Sequence, residues 1–391
     1  MKKITVGLFT DSFFPMADGV VMVVDNYARQ LSKFANVIVF APRYKGKKFD
    51  DSKFDYRVVR CNSKKIFFLD YSLPMPKLDK KFMNELNKCK LDIVHIHSPF
   101  TLGKIGVKYA YDNNIPVVAT MHSQFKQDFK RAVKSDMFAS VLNKIPISLF
   151  NKCDECWAVN SEVAKIFYED YGYRELPRVM NNATDMKFIL FNGKNKALIN
   201  KKHNIKDKEK VFLFVGRINK LKNIFFIVDS LKILKDKYPH LKFKMLFVGS
   251  GQDEDDLKKY IVKNKLKHEI DLCGKVTDRD LLASYYARAD LFLFPSFYDA
   301  SSIVQIEAAS QKVPTLFLEG AATTATITNN ENGFIVKNDP EAYADKIFEI
   351  MNDNKLYKKV SKGAYKDVYV NWDKKIKEVY KLYLDMIDNK K

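Results

Sequence analysis

Residues 292–314, FLFPSFYDASSIVQIEAASQKVP, constrain the fold of this chain more than any other stretch. The apolar run 291–295 ends at proline and has the composition of a short strand buried on both faces of a parallel sheet. A polar loop follows at 296–302. Residues 303–310 then read as a helix start, with Ser301 or Ser302 as N-cap. A helix N-terminus after a parallel strand is an anion site, because its unbonded N–H groups and its dipole both face the ligand. Asp299 and Glu307 flank that join, so an anion could rest on backbone amides while the acids grip hydroxyls. A plain helix cap beside a solvated acid fits the same spacing.

The rest of the chain repeats strand, loop and helix. Strands are predicted at 4–10, 36–41, 92–97, 116–122 and 156–160, and helices at 21–34, 80–90, 103–113 and 162–171. Residues 186–208 are polar and rich in lysine and read as a connection. The pattern then restarts, with strands at 211–215, 242–248, 270–273, 290–294, 315–318 and 333–336. Helices are predicted at 223–235, 253–263 and 279–287 and through 340–389. This is an α/β chain with two doubly wound, Rossmann-like halves facing across a cleft. The expected domains are 1–190, 207–370, and a C-terminal helix at 371–391 packing back on the first.

Lysine and arginine outnumber aspartate and glutamate 67 to 47, a formal charge of +20. The excess is spread along both halves. It suits a surface that seeks anions, whether nucleic acid, membrane or phosphorylated ligands, or it reflects a lysine-rich composition alone. No nucleic-acid recognition motif accompanies it, so nucleic acid is not an expected partner. No apolar run is long enough to span a bilayer. The N-terminal apolar run is a first strand rather than a signal peptide, and five scattered cysteines suit a reducing cytoplasm. Cys153 and Cys156 have metal or redox spacing but lack a second pair of ligands, and a structural role is expected.

Polar residues at the predicted strand ends carry the chemistry. They are Gly19, His97 and His122 in the first half, and Arg217, Lys222, Gly249, Gly251, Asp299 and Glu307 in the second. Arg217 and Lys222 lie on a loop entering a helix, where a guanidinium fork and a point charge suit a diphosphate. His122 could accept a substrate hydroxyl or serve the fold. His95 and His97 alternate on one strand and are expected to face opposite sides. Gly249-Ser250-Gly251 lacks the third glycine of a dinucleotide fingerprint. Residues 253–256, all acidic, open a helix and complement its dipole, so no metal site is assigned.

Taken in order, TDSFFPMADGV, DIVHIHSPFTLG, PVVATMHS, NATD at 182–185, FVGRINKLKN, LFVGSG, DASSIVQIEAASQKVP and ENGF at 331–334 resemble the retaining glycosyltransferases of family 4, which have the GT-B fold. The resemblance implies an enzyme that transfers a hexose from a nucleotide sugar, UDP-linked by expectation, without a cofactor or bound metal. It implies that Arg217 and Lys222 neutralise the leaving diphosphate and that Glu307 grips the ribose. Asp299 would face the sugar, and His122 would contact the sugar or the reacting centre. Gly19, Gly216, Gly249, Val276, Ser301, Ser302 and Ile303 would complete the donor site. The family usually has glutamate at Asp299, NGxD where Asn182-Ala183-Thr184-Asp185 stands, and Lys-Gly where Lys222-Asn223 stands.

Phe125, Phe129, Val133, Met137, Val141 and Ile145 recur every four residues beside Lys126, Lys130, Arg131 and Lys134. This pattern over 125–145 describes a basic amphipathic helix suited to an anionic membrane surface, or an ordinary core-facing helix. The resemblance extends to glucosyltransferases acting on diacylglycerol, which implies a lipid or lipid-linked acceptor and a peripheral position on the cytoplasmic face of the membrane. A soluble or polysaccharide acceptor, and a non-catalytic sugar-nucleotide-binding protein, are the alternatives. An NAD-dependent oxidoreductase would need a complete GxGxxG after the first strand, and that loop has only Gly19.

Overall fold

The computed structural model describes residues 3–16, 18–46, 49–65, 72–122, 136–189 and 193–390. The chain divides into two compact units. The first is Met1–Asn182 with Trp372–Lys391, and the second is Ala183–Asn371.

In the first unit the strands are β1 (Thr5–Phe9), β2 (Asn36–Pro42), β3 (Arg57–Cys61), β4 (Ser63–Lys65), β5 (Ser72–Pro74), β6 (Ile93–Ile96), β7 (Val117–Met121), β8 (Glu155–Ala158) and β9 (Arg178–Val179). Among the described residues, seven of them form one parallel sheet in the order β3-β2-β1-β6-β7-β8-β9, and β4 and β5 make an antiparallel ribbon. Every residue of β6 and β7 is buried, as helices on both sheet faces require. The strand order reverses between β1 and β6, and the loops following those strands flank the reversal point. β3 was not expected from sequence: Arg57 and Arg60 interrupt its apolar residues, and only Val59 and Cys61 are buried.

The C-terminal helix Trp372–Lys390 buries Trp372, Ile376, Val379 and Tyr383, one stripe at helical spacing. Trp372 meets the Tyr27 ring edge-on at 4.9 Å, and Tyr383 stacks on Trp157 at 5.8 Å. These aromatic contacts fix the helix to the first unit although it comes last in sequence.

The second unit holds β10 (Lys210–Val215), β11 (Phe243–Val248), β12 (Ile270–Leu272), β13 (Leu291–Phe294), β14 (Thr315–Leu318) and β15 (Phe334–Val336). They form a parallel sheet in the order β12-β11-β10-β13-β14-β15, with its reversal between β10 and β13. The lysine-rich stretch read as a connection contains the helix Gly193–Lys202. Ile199 and Ile205 reach the core of this unit, which accounts for order in so charged a segment. Most of the expected amphipathic helix at 125–145 lies outside the described residues. The helix Asp136–Phe150 covers its end.

Candidate active site

The loops that follow β10, β11 and β13 meet at the reversal point of the second sheet. Gly249 stands just past β11 with φ +145°, and a Cβ there would lie 1.9 Å from the carbonyl oxygen of Gly216. A Cβ on Gly251 would lie 2.2 Å from the carbonyl oxygen of Ile218. The two loops therefore touch backbone to backbone, which only glycine permits. Ile218 N–H donates to Ser250 O at 3.1 Å and Asp253 N–H to Ile218 O at 3.2 Å. Asp253 does not cap the helix Glu254–Lys263 with its side chain. Its Oδ2 accepts from the backbone N–H of Lys220 at 2.8 Å. Gly249, Gly251 and Asp253 thus fix the loop that carries Arg217 and Lys222. Sequence spacing showed glycines and an acid but not that they share this loop as partner.

Gly216 and Arg217 follow β10 directly. Lys222 ends a single 3-10 turn, Lys220–Lys222, and Asn223 then adopts a left-handed conformation at φ +58° before the helix Ile224–Lys237. Asparagine tolerates that conformation better than most residues, so it can fill the place where the family has glycine. The Lys222 ammonium donates to Asp299 Oδ1. The Arg217 guanidinium has no hydrogen bond or ion pair among the described residues. Asp299 Oδ2, Asn219 Oδ1, Ser296 Oγ, Gln305 Oε1 and Thr323 Oγ1 are buried and have no hydrogen-bond partner among them. All five come from loops or helix starts beyond the carboxyl ends of β10, β13 and β14, so the hydrogen-bonding capacity left there is concentrated where doubly wound folds take ligands.

Glu307 lies one turn into the helix Ile303–Ser310 and is 4% exposed. Its Oε1 accepts from Arg279 at 2.8 Å and its Oε2 from the Tyr286 hydroxyl at 3.0 Å. Arg279 also donates to Asp185 at 2.8 Å. Burial raises the Glu307 carboxyl above its ordinary value, and the Arg279 guanidinium opposes that rise. Arg279 and Tyr286 were not singled out from the sequence. They belong to the helix Arg279–Arg288, where Arg279 resembles any solvated cation at a helix start. Asp185, known only as the last residue of NATD, is the third member of the group. Ser302 occupies the N-cap position with extended backbone, but its hydroxyl does not cap, contrary to expectation. Val276 is half-buried against the core of this unit.

In the first unit His122 follows β7, and its Nε2 lies 3.0 Å from His97 Nδ1. His95 and His97 do not face opposite sides: their ring centroids are 4.0 Å apart. β6 ends at Ile96, so His97 is outside the strand and the alternation does not reach it. His95 is saturated by the Tyr383 hydroxyl at 2.6 Å and by Thr120 at 2.7 Å. Burial pushes all three imidazoles below their ordinary value, His122 to about 3, so the row is neutral. Gly19 opens the helix Gly19–Leu31, which Asp18 caps through Val21 N–H at 2.9 Å, and a Cβ on Gly19 would meet nothing within 4 Å. Asp11 reaches across from the loop after β1 to accept from Leu102 N–H at 2.9 Å, capping the helix Thr101–Asp112.

Cys153 and Cys156 are buried, with thiols directed at the carbonyls of Leu149 and Phe150. Among the described residues no group of three or more histidine, cysteine or acidic side chains is arranged to hold a metal ion.

Two parallel α/β units in one chain, each with polar residues beyond the carboxyl ends of its strands, are the architecture of the GT-B fold. Residues 17–188 match the family described as Glycosyltransferase Family 4, and residues 195–367 match Glycosyl transferases group 1. The chain belongs to these glycosyltransferases. It is 27% identical over 409 residues to an alpha-monoglucosyldiacylglycerol synthase of Acholeplasma laidlawii, covering 99% of this chain and 98% of that protein. A second alpha-monoglucosyldiacylglycerol synthase, from Streptococcus pneumoniae, is 26% identical over 80% of this chain and 70% of its own length. The crystal structure of the Anabaena protein HepE in complex with UDP-glucose superposes with a TM-score of 0.77 at 14% identity, covering 98% of this chain and all of that one.

Proposed function

We propose that this glycosyltransferase moves glucose from UDP-glucose to the hydroxyl of a diacylglycerol-type lipid, with retention at the anomeric carbon and without a bound metal. The observation that carries this reading is the Lys222–Asp299 pair at the reversal point of the second sheet, with Arg217 on the same loop as Lys222. The similarity to two proteins named for glucosyldiacylglycerol synthesis, full-length for the first of them, supports the lipid acceptor.

The donor's diphosphate draws Lys222 away from Asp299 and takes the Arg217 fork, so two cations supply the charge that a metal would otherwise provide. Glu307, held by Arg279 and Tyr286, keeps lone pairs for ribose hydroxyls. The anomeric carbon–oxygen bond to the diphosphate breaks as the acceptor oxygen attacks from the same face, and the acceptor's proton passes to the departing phosphate oxygen. Glu307 is committed to Arg279 and Tyr286, which does not suit it to act as a covalent nucleophile. His122 meets the sugar or the reacting centre as a neutral group.

The enzyme works at the cytoplasmic face of a membrane as a peripheral protein. No described helix is long and apolar enough to cross a bilayer. Ile145, the last member of the four-residue apolar series, is 48% exposed, which suits insertion into a lipid surface better than a core position. The test is transfer from labelled UDP-glucose to anionic vesicles with and without diacylglycerol. Lipid-dependent transfer is expected, with Arg217→Ala lowering it about a hundredfold, the usual loss for one transition-state charge contact. Transfer that ignores lipid but uses a soluble glycan would overturn the acceptor, and an unimpaired Arg217→Ala would overturn the site.

A further inference from the structure

His97 is 3% exposed, and its two ring nitrogens are in unlike surroundings. Nδ1 lies 3.0 Å from His122 Nε2. Nε2 is buried without a hydrogen-bond partner among the described residues. The surrounding rings hold His97 in place: His95 at 4.0 Å, Tyr27 edge-on at 5.2 Å, and His122 stacked at 5.3 Å between centroids. His95 cannot serve as its partner, because Tyr383 and Thr120 already occupy both of its nitrogens.

Each neutral imidazole carries one proton, and the His97–His122 bond needs one donor and one acceptor. If His122 donated from Nε2, His97 would have to carry its own proton on Nε2, a buried N–H with no acceptor. Orphaned buried N–H groups are rarer than under-used acceptors. The other arrangement leaves only a lone pair at that position. We infer that His97 donates from Nδ1 and holds His122 in the tautomer protonated on Nδ1, so that His122 presents an N–H donor to a substrate oxygen rather than a basic lone pair. His97 is then a positioning residue, and His122 polarises or stabilises a substrate oxygen instead of removing a proton. Only the nature of the group that His122 meets rests on the proposed transfer reaction. The tautomer itself does not.

The tautomer is read directly from long-range proton–nitrogen NMR correlations on the full chain labelled at histidine nitrogen, with His122 assigned by loss of its peaks in His122→Gln. The expected pattern for His122 at neutral pH is a protonated Nδ1 and an unprotonated Nε2. A proton on Nε2, or on both nitrogens, overturns the inference. Two variants add a functional readout. His97→Asn keeps an N–H close to the Nδ1 position, whereas His97→Leu removes the donor and keeps an apolar side chain. His97→Leu should lower kcat by about tenfold or more, with KM for UDP-glucose little changed, and His97→Asn should recover most of that loss. Equal kcat in the two variants overturns the inference. If no acceptor supports transfer, the functional reading fails while the NMR result still decides the tautomer.

Discussion

Arg279→Met isolates the group around Glu307. The guanidinium joins Glu307 and Asp185, each at 2.8 Å, and its removal leaves Glu307 with the Tyr286 hydroxyl alone. Removing one partner of a fully buried pair costs about 3–5 kcal/mol. The Arg279 side chain is 40% exposed, so water takes part of its place, and a loss of about 2 kcal/mol near neutral pH is the reasonable figure. The sign of the pH dependence follows from burial. Glu307 already binds its proton more tightly in the folded protein than in the unfolded chain, because desolvation outweighs Arg279. Such a group contributes stability that is fully present below the ordinary carboxylate range and lost as pH rises through the raised value. Without Arg279 that value rises further, and each tenfold gain in proton affinity adds about 1.4 kcal/mol to the deficit at high pH. The deficit of Arg279→Met should therefore be smaller near pH 5 than near pH 8. Urea unfolding followed by far-ultraviolet circular dichroism measures it. Fluorescence of Trp157 and Trp372 follows the first unit separately. Adding Glu307→Gln to Arg279→Met removes the stranded charge and should restore about 1 kcal/mol or more near pH 8. An equal deficit at both pH values, or no recovery in the double variant, would refute the reasoning.

Gly249→Ala places a Cβ 1.9 Å from the Gly216 carbonyl at φ +145°, and should cost about 3 kcal/mol or more, read as a lowered urea midpoint of the second unit. The depressed histidines give the opposite pH slope from Glu307. Their stability is present above the ordinary imidazole value and is lost as pH falls toward the folded value, about 3 for His122. Urea midpoints should therefore fall between pH 7 and 5, and His122→Gln should flatten the slope by up to about 1.4 kcal/mol per pH unit. Asp299→Asn frees Lys222 from its ion pair and should tighten binding of UDP alone by about three- to tenfold in calorimetry, where weaker binding would count against Lys222 as a diphosphate ligand.

The two doubly wound halves were legible because fully buried parallel strands such as Leu291–Phe294 and Thr315–Leu318 are short apolar runs bounded by turn residues. β3 was not, because Arg60 interrupts its apolar residues, with a side chain only 8% exposed. The Arg60 side chain binds Asp51 through Nε at 2.7 Å and donates to the carbonyls of Phe14 and Pro42, contacts fixed only when distant segments meet. The helix Gly193–Lys202 was hidden by its lysines, since Ile199, the one buried residue among its described side chains, sets no period. In the site, residues at strand ends were visible one by one. Their partners were not: Arg279 for Glu307, Asp253 for the Lys220 amide and His97 for His122 lie tens of residues away or on the neighbouring strand's loop. The expectation that His95 and His97 diverge extended strand periodicity one residue past the strand's end.

The two units arrange charge at their reversal points in opposite ways, and this bears on the chemistry. The second unit supplies cations, Arg217 without a partner among the described residues and Lys222 provisionally neutralised by Asp299, together with a carboxylate fixed by Arg279. The first supplies a row of imidazoles kept neutral by burial and by one another. A diphosphate leaving group needs fixed positive charge that does not vary with pH, and guanidinium and ammonium provide it. An acceptor hydroxyl attacking an oxocarbenium-like centre gains nothing from a permanent cation nearby, which would oppose the charge developing on the sugar. A neutral N–H donor can orient a sugar oxygen without that penalty. Under the proposed transfer, fixed charge in the second unit serves the departing diphosphate, and burial keeps the imidazoles of the first unit from adding a cation of their own.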